Sequence, residues 1–86
     1  KVILVVSLRL GCLNHALLSA EAIRRDGLEI AGWIGNQAEL QKMSYEEQNI
    51  ATLKSSLAAP CIGILPYASN HKPDTLVDYL DISLLT

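Results

Sequence analysis

A cysteine, an asparagine and a histidine stand close together in the stretch RLGCLNHALLSAEAI, which spans residues 9–23. Cys12, Asn14 and His15 offer a thiol, an amide and an imidazole at the start of a run of apolar residues. These residue types suit three kinds of site: a metal centre, a nucleophile with its base, or the anion-binding start of a helix. A fourth interpretation is structural, with Cys12 a small packed residue and His15 a partly exposed one.

The sequence disfavours the first two kinds of site. Zinc needs three or four protein ligands, and the next histidine after His15 is the remote His71. A catalytic pair of Cys12 and His15 lacks an evident third group to orient the imidazole. We therefore predict neither a catalytic residue nor a metal ligand in this chain.

The anion-binding and structural interpretations both remain open. Gly11 would let a ligand approach the backbone closely. The N–H groups of Cys12, Leu13 and Asn14 are expected to be free at the start of the helix, where the helix dipole favours negative charge. A carboxylate or phosphate there would accept hydrogen bonds worth about 1.5–3 kcal/mol each.

The elements that would position these residues alternate between strand and helix. Apolar runs predict strands at 2–6, 28–34 and 60–66, and helical spacing predicts helices at 14–25, 43–57 and 75–85. This order predicts an α/β fold in which right-handed crossovers place helices against a parallel sheet. Such sheets bind ligands outside the carboxyl ends of their strands, where the loops SLRLGCLNH, GNQ and PYASNHKPD begin.

Finer details of these elements are also predicted. The first strand is continuously apolar and is expected to be covered on both faces. Gly27 should end the first helix in a left-handed conformation, and Ser44 with Glu47 should form a capping box for the second. Trp33 is expected in the core, with the helix stripes Ala16, Leu17, Ala20, Ile23 and Ile50, Leu53, Leu57.

A second set of candidate residues follows the second and third strands. The Asn36 amide donates and accepts hydrogen bonds, as recognition of a purine edge requires, although Gly35 and Asn36 also suit a turn. The segment Pro66-Tyr67-Ala68 is either a turn or an aromatic and backbone surface for a flat base. No phosphate loop GxxxxGK(S/T) is present, and no acidic residue ends the first strand to hold magnesium. The chain by itself thus lacks the machinery for phosphoryl transfer.

Composition limits the classes of function. The chain has 86 residues and a net charge of −2, which indicates one small domain without a basic footprint for nucleic acid. Its apolar runs are too short to span a membrane. Two separated cysteines indicate reduced thiols in a cytoplasmic protein. Because the chain has no initiator methionine and begins directly on a strand, we expect a carboxy-terminal piece of a longer protein.

Two segments carry a resemblance to a known family. VILVVSLRLGCLNHALLSAEAIRRDGLEIAGWIGN and APCIGILPY resemble the carboxy-terminal half of dethiobiotin synthases. The resemblance covers nearly the whole chain and is strongest over 2–36 and 59–68. It implies a P-loop NTPase-type fold in a homodimer. Residues 1–86 would be the carboxy-terminal part of a single domain, without its phosphate-loop half.

The resemblance also implies an activity and a set of site residues. Members use ATP, Mg²⁺ and carbon dioxide or bicarbonate to close the ureido ring of dethiobiotin on 7,8-diaminononanoate, in biotin biosynthesis. The substrate carboxylate would bind across the dimer interface, at Gly11, Cys12, Leu13 and Asn14. The adenine would be bound by Asn36, Gln37, Pro66, Tyr67 and Ala68.

This chain departs from the family pattern at Gln37, where a charged residue is usual, and Asp74 is the nearest candidate for an acidic adenine contact. The metal ligands would lie outside the chain, so the fragment alone is expected to be inactive. Two alternatives are a non-catalytic regulatory domain related to P-loop proteins and a free-standing α/β interaction module.

Overall fold

The computed structural model of the chain describes residues 1–9, 11–37, 46–67 and 77–85. In these residues, parallel strands alternate with helices, and two short 3-10 helices follow. This arrangement confirms the predicted α/β class. The elements are β1 (Val2–Ser7), α1 (Cys12–Arg25), β2 (Ile30–Asn36), α2 (Glu46–Ser56), β3 (Cys61–Leu65) and the 3-10 helices Val77–Tyr79 and Ile82–Leu85.

The three strands form one sheet in the order β1-β2-β3. β2 is central and pairs in parallel with both neighbours. Asn36 is in register with Ser7 on one side and with Leu65 on the other. The carboxyl ends of all three strands therefore lie side by side, at one edge of the sheet.

The core lies between the sheet and the two helices. Three side chains are 0% exposed: Trp33 of β2, Leu53 of α2 and Leu57, which directly follows α2. This confirms the predicted core position of Trp33. α1 contributes a stripe of small buried residues spaced four apart, Cys12, Ala16 and Ala20. Leu17 was predicted to join this stripe and is exposed, because each successive helical residue is rotated by about 100°.

The prediction that β1 is covered on both faces is wrong for the described residues. Ile3 is 44% exposed and Val5 is 60% exposed, whereas Val6 is buried. β1 pairs with β2 alone, so it lies at the edge of this sheet. One face of β1 thus presents apolar side chains without a described element against it.

The predicted terminal helix is also wrong. Residues 77–85 contain two short 3-10 helices, which are separated by Leu80 and Asp81. Leu80 forms an antiparallel bridge with Gly63, and the Asp81 N–H donates to the Ile62 carbonyl oxygen at 2.8 Å. These bonds to β3 use backbone groups that a continuous helix would need internally.

Element boundaries differ from the prediction where the sheet supplies partners. Gly35 and Asn36 lie within β2 and do not form a turn, since both pair with residues of β1 and β3. Gly27 has a φ of 80°, which confirms its left-handed role at the end of α1. Ser44 and Asp74, the candidate acidic adenine contact, lie outside the described residues. In the described part of the chain, no helix has the length and apolar character needed to traverse a bilayer.

Candidate functional site

The peptide that joins Asn36 to Gln37 is held at the carboxyl end of the sheet by hydrogen bonds to both neighbouring segments. The Leu8 N–H donates to the Asn36 carbonyl oxygen at 2.8 Å, and the Gln37 N–H donates to the Leu65 carbonyl oxygen at 2.9 Å. These bonds continue the sheet past the end of β1 and of β2. The Asn36 side chain is half-buried, and its backbone position is fixed by the sheet. It lies at the carboxyl ends of the strands, where open parallel sheets bind ligands.

Gln37 forms a side-chain contact that sequence reasoning did not anticipate. Its amide nitrogen donates to both carboxylate oxygens of Glu46, at 2.7 and 2.9 Å. Glu46 is only 7% exposed and begins α2. Burial of a carboxylate is costly unless hydrogen bonds compensate, and the amino end of a helix favours negative charge. The sequence signal was the acidic pair Glu46 and Glu47, of which only Glu47 was given a role.

The segment after β3 begins beside Gln37. Pro66 directly follows Leu65, whose carbonyl oxygen accepts the Gln37 N–H, and is half-buried. Tyr67 is exposed, so its ring remains available to a ligand. Ala68 lies outside the described residues. The structure therefore brings Asn36, Gln37 and Pro66 to one edge, with Tyr67 next along the chain.

The start of α1 is open at Gly11. This glycine caps the helix with a φ of 87°, and a Cβ atom built there would meet no atom within 4 Å. Side chains rarely adopt that backbone conformation, so glycine is the favoured residue. The Cys12 N–H donates to the Arg9 carbonyl oxygen at 3.0 Å. It is therefore not the free donor that we predicted, because a tight turn precedes the helix.

A shallow groove lies between β1 and the start of α1. Its volume is about 170 Å³, which is below the roughly 300 Å³ of typical small-molecule pockets and suits a small group. The polar lining residues are Ser7, Arg9, His15 and Ser19. Arg9 is exposed and adds a positive charge beside the helix start. Sequence reasoning missed this residue, although a lone arginine two positions before a glycine was a visible signal.

Cys12, Cys61 and His15 differ in their exposure. Cys12 is buried and belongs to the core, which confirms its structural interpretation, and Cys61 is half-buried. His15 and Asn14 are exposed, and Leu13 packs against the core. Across the described ranges, no group of three or more His, Cys, Asp or Glu residues is arranged to hold a metal ion.

Comparison with known proteins supports the resemblance. A family model described as an AAA domain matches residues 1–75. Relatives from Marinobacter nauticus, Cellvibrio japonicus and Pseudomonas aeruginosa are each named ATP-dependent dethiobiotin synthetase BioD. Their sequences are 53%, 46% and 49% identical to this chain, over 98%, 98% and 94% of it.

The matched region is a limited part of each relative. The chain spans 38%, 36% and 35% of the lengths of these three curated relatives, which is little more than a third. The family match nevertheless covers most of the chain, and the parallel sheet with its helices agrees with a P-loop NTPase-like fold. The chain therefore belongs to the AAA-domain family and is a homologue of the dethiobiotin synthetases.

Proposed function

We propose that this chain is part of an ATP-dependent dethiobiotin synthetase of biotin biosynthesis. That enzyme carboxylates 7,8-diaminononanoate with carbon dioxide or bicarbonate and closes the ureido ring of dethiobiotin. Relatives bearing this name match nearly the whole chain. The observation that carries the proposal is the position of the peptide that joins Asn36 to Gln37, at the carboxyl end of the sheet where such sheets bind ligands. Its Asn36 carbonyl oxygen accepts from Leu8 on one side, and its Gln37 N–H donates to Leu65 on the other.

The adenine of ATP binds at this edge. The Asn36 amide offers one donor and one acceptor to the base, and its fixed backbone limits the entropy lost on binding. Gln37, Pro66, Tyr67 and Ala68 complete the pocket. The half-buried proline and the exposed tyrosine supply apolar and aromatic surface for a flat ring.

The carboxylate of the diamine substrate binds at the start of α1. Gly11 leaves the backbone accessible, and Arg9 adds a positive charge at the same groove. The N–H groups of Leu13 and Asn14 are the proposed donors, and Cys12 contributes packing because its N–H already serves Arg9. The protein acts as a homodimer, in which this helix start serves the active site of the partner subunit.

The chain is the carboxy-terminal part of the domain, and the phosphate loop and magnesium ligands lie in another part of the protein. Gly27 and Gly32 have the glycine spacing of a phosphate loop, but Trp33 stands where that motif needs lysine. The same stretch also leads from a helix into a strand, whereas a phosphate loop leads from a strand into a helix. Placement at the amino end of the domain would require a phosphate loop within these residues. The cytoplasm, a reducing compartment, suits Cys12 and Cys61, which are not joined in a disulfide.

The test is the Asn36→Ala variant of the complete protein. Loss of the paired donor and acceptor costs about 1–3 kcal/mol of binding free energy, so we expect the KM for ATP to rise roughly tenfold. The preference for ATP over other nucleoside triphosphates should decrease. Gln48→Ala, on the exposed surface of α2, is the matched control.

Two results would contradict the proposal at different levels. An unchanged KM for ATP and an unchanged nucleotide ranking in Asn36→Ala would make Asn36 a purely structural residue. A complete wild-type protein that forms no dethiobiotin from the diamine, bicarbonate and ATP would overturn the enzyme assignment and favour a regulatory domain.

A further inference from the structure

We propose that Glu46 is a positioning residue that orients the Gln37 amide, so that Gln37 presents its carbonyl oxygen to the nucleotide base. The inference rests on the proposed function, because it requires the base to bind beside Asn36 and Gln37. It assigns Glu46 a part in selecting the base without contact between Glu46 and the nucleotide.

The hydrogen bonds permit only one orientation of the amide. The Gln37 nitrogen carries two hydrogens, and its distances to the two Glu46 oxygens are 2.7 and 2.9 Å. A flipped amide would place the Gln37 carbonyl oxygen against two carboxylate oxygens, none of which has a hydrogen to donate. The carbonyl oxygen therefore lies on the side of the amide that is directed away from Glu46.

Both ends of this contact are fixed. The Gln37 backbone N–H is hydrogen-bonded to Leu65, and Glu46 is the first residue of α2. Glu46 is 7% exposed, so water has little access to replace or screen the contact. The amide consequently cannot rotate to suit whichever base arrives.

A fixed carbonyl oxygen discriminates between bases by their exocyclic group. Adenine carries an amino group at position 6, which donates a hydrogen bond to such an oxygen. Hypoxanthine and guanine carry a carbonyl oxygen there, and the two acceptors would repel each other. The Gln37–Glu46 pair thus favours 6-aminopurine nucleotides, because the Gln37 oxygen attracts the amino group of adenine and repels the carbonyl oxygen of hypoxanthine or guanine.

The experiment compares the KM values of ATP and ITP in the complete enzyme. Hypoxanthine has a 6-carbonyl oxygen in place of the adenine 6-amino group and a hydrogen on N1, and the two nucleotides are otherwise identical. In Glu46→Gln the new amide can donate to the Gln37 carbonyl, so the Gln37 amide can flip. We expect the preference for ATP over ITP to fall about tenfold, with kcat for ATP maintained. Glu47→Gln, a change at the exposed neighbouring residue, should leave the preference unchanged.

A second variant keeps the test decisive if Glu46→Gln folds poorly. Gln37→Ala removes the amide and should lower the preference to the same level, and adding Glu46→Gln to it should cause no further change. A preference that persists in Gln37→Ala would overturn the proposal. So would a Glu46→Gln enzyme in which both KM values rise equally, because that outcome indicates a merely structural role. A wild-type enzyme that does not use ATP would instead refute the proposed function.

Discussion

Gly63 of β3 and Tyr79 of the first 3-10 helix are in direct backbone contact. A Cβ atom built on Gly63 would lie 3.0 Å from the Tyr79 carbonyl carbon and would overlap its oxygen. The adjacent Leu80 forms an antiparallel bridge with Gly63, and Asp81 donates to Ile62. The 3-10 segment is thereby joined to the free edge of β3 by backbone bonds and by the absence of a side chain at position 63.

Gly63→Ala should therefore detach this segment. The clash is with backbone, which cannot rotate away, so we expect a loss of about 3 kcal/mol in unfolding free energy, at the upper end for overpacking. Gly32→Ala is the control, since the two atoms nearest to its Cβ position are Cδ1 and Cγ1 of the Ile62 side chain, and the nearest backbone atom, the Pro60 carbonyl oxygen, lies 3.1 Å away. It should cost about 1 kcal/mol. Urea unfolding of the complete protein and hydrogen exchange of the Asp81 amide measure both effects, and equal losses would contradict the argument.

Asn14→Asp tests the anion site at the start of α1. The first turn of α1 contains no acidic residue, so an aspartate there should leave the helix as stable or slightly more stable. The same charge would repel a bound carboxylate. We expect the KM for the diamine to rise roughly tenfold, with little change for ATP, in steady-state assays of the complete protein. Gln48→Glu controls for net charge, and an unchanged diamine KM in Asn14→Asp would exclude the site.

Cys12→Ser tests whether Cys12 is a packed core residue of α1 or a nucleophile. The thiol is buried in the core, so its replacement by a hydroxyl should lower the unfolding free energy by about 1 kcal/mol. Kinetic constants should be nearly unaffected, because the proposed donors are backbone groups. A variant without activity but with normal substrate affinity would instead identify Cys12 as a nucleophile.

The two arginines in the last turn of α1 provide a matched pair. The Arg24 guanidinium donates to the Leu57 carbonyl oxygen, which links α1 to the segment after α2. Arg25 forms an exposed ion pair with Glu21 at 2.7 Å. We expect Arg24→Met to cost about 1–2 kcal/mol and Arg25→Met less than about 0.5 kcal/mol in unfolding free energy. If chemical denaturation shows a larger loss of unfolding free energy for Arg25→Met than for Arg24→Met, the Arg24 hydrogen bond is not the more stabilising contact.

The isolated 86-residue chain should neither turn over ATP nor fold cooperatively. Ile3 and Val5 are exposed on an edge strand, which favours association and loose packing. We expect binding of a hydrophobic dye and poorly dispersed amide signals. Magnesium-dependent turnover above a blank without protein, or a sharp unfolding transition, would contradict this prediction.

The sequence predicts the alternation of strands and helices well because each element carries its own hydrophobic period. It fails at residues 77–85, where apolar spacing suggests a helix but backbone bonds to β3 prevail. Gly35 and Asn36 have turn propensity, yet partners on both sides extend the strand through them. Local preference yields wherever the sheet supplies hydrogen bonds.

In the candidate site, one residue could be predicted from the local sequence and another could not. Asn36 was identifiable because it follows an apolar strand and has a side chain suited to a purine edge. Glu46 was not, because its partner Gln37 lies nine residues away, across a segment without a local pattern that joins them. A contact of this kind depends on where α2 begins relative to β2, and that relation is set by tertiary packing.

The strand order has a consequence for how the chain folds. Each strand pairs with the next one along the chain, but always in parallel, so every pairing must wait for a whole helix and its two connections to be in place. Among the described strands, no two neighbours form a hairpin that could start this sheet. Parallel pairing of this kind closes long loops before it gains hydrogen bonds, which slows folding relative to helical domains of similar size. During that delay the apolar β1 is exposed to other chains, so successful folding depends on how soon its neighbours arrive.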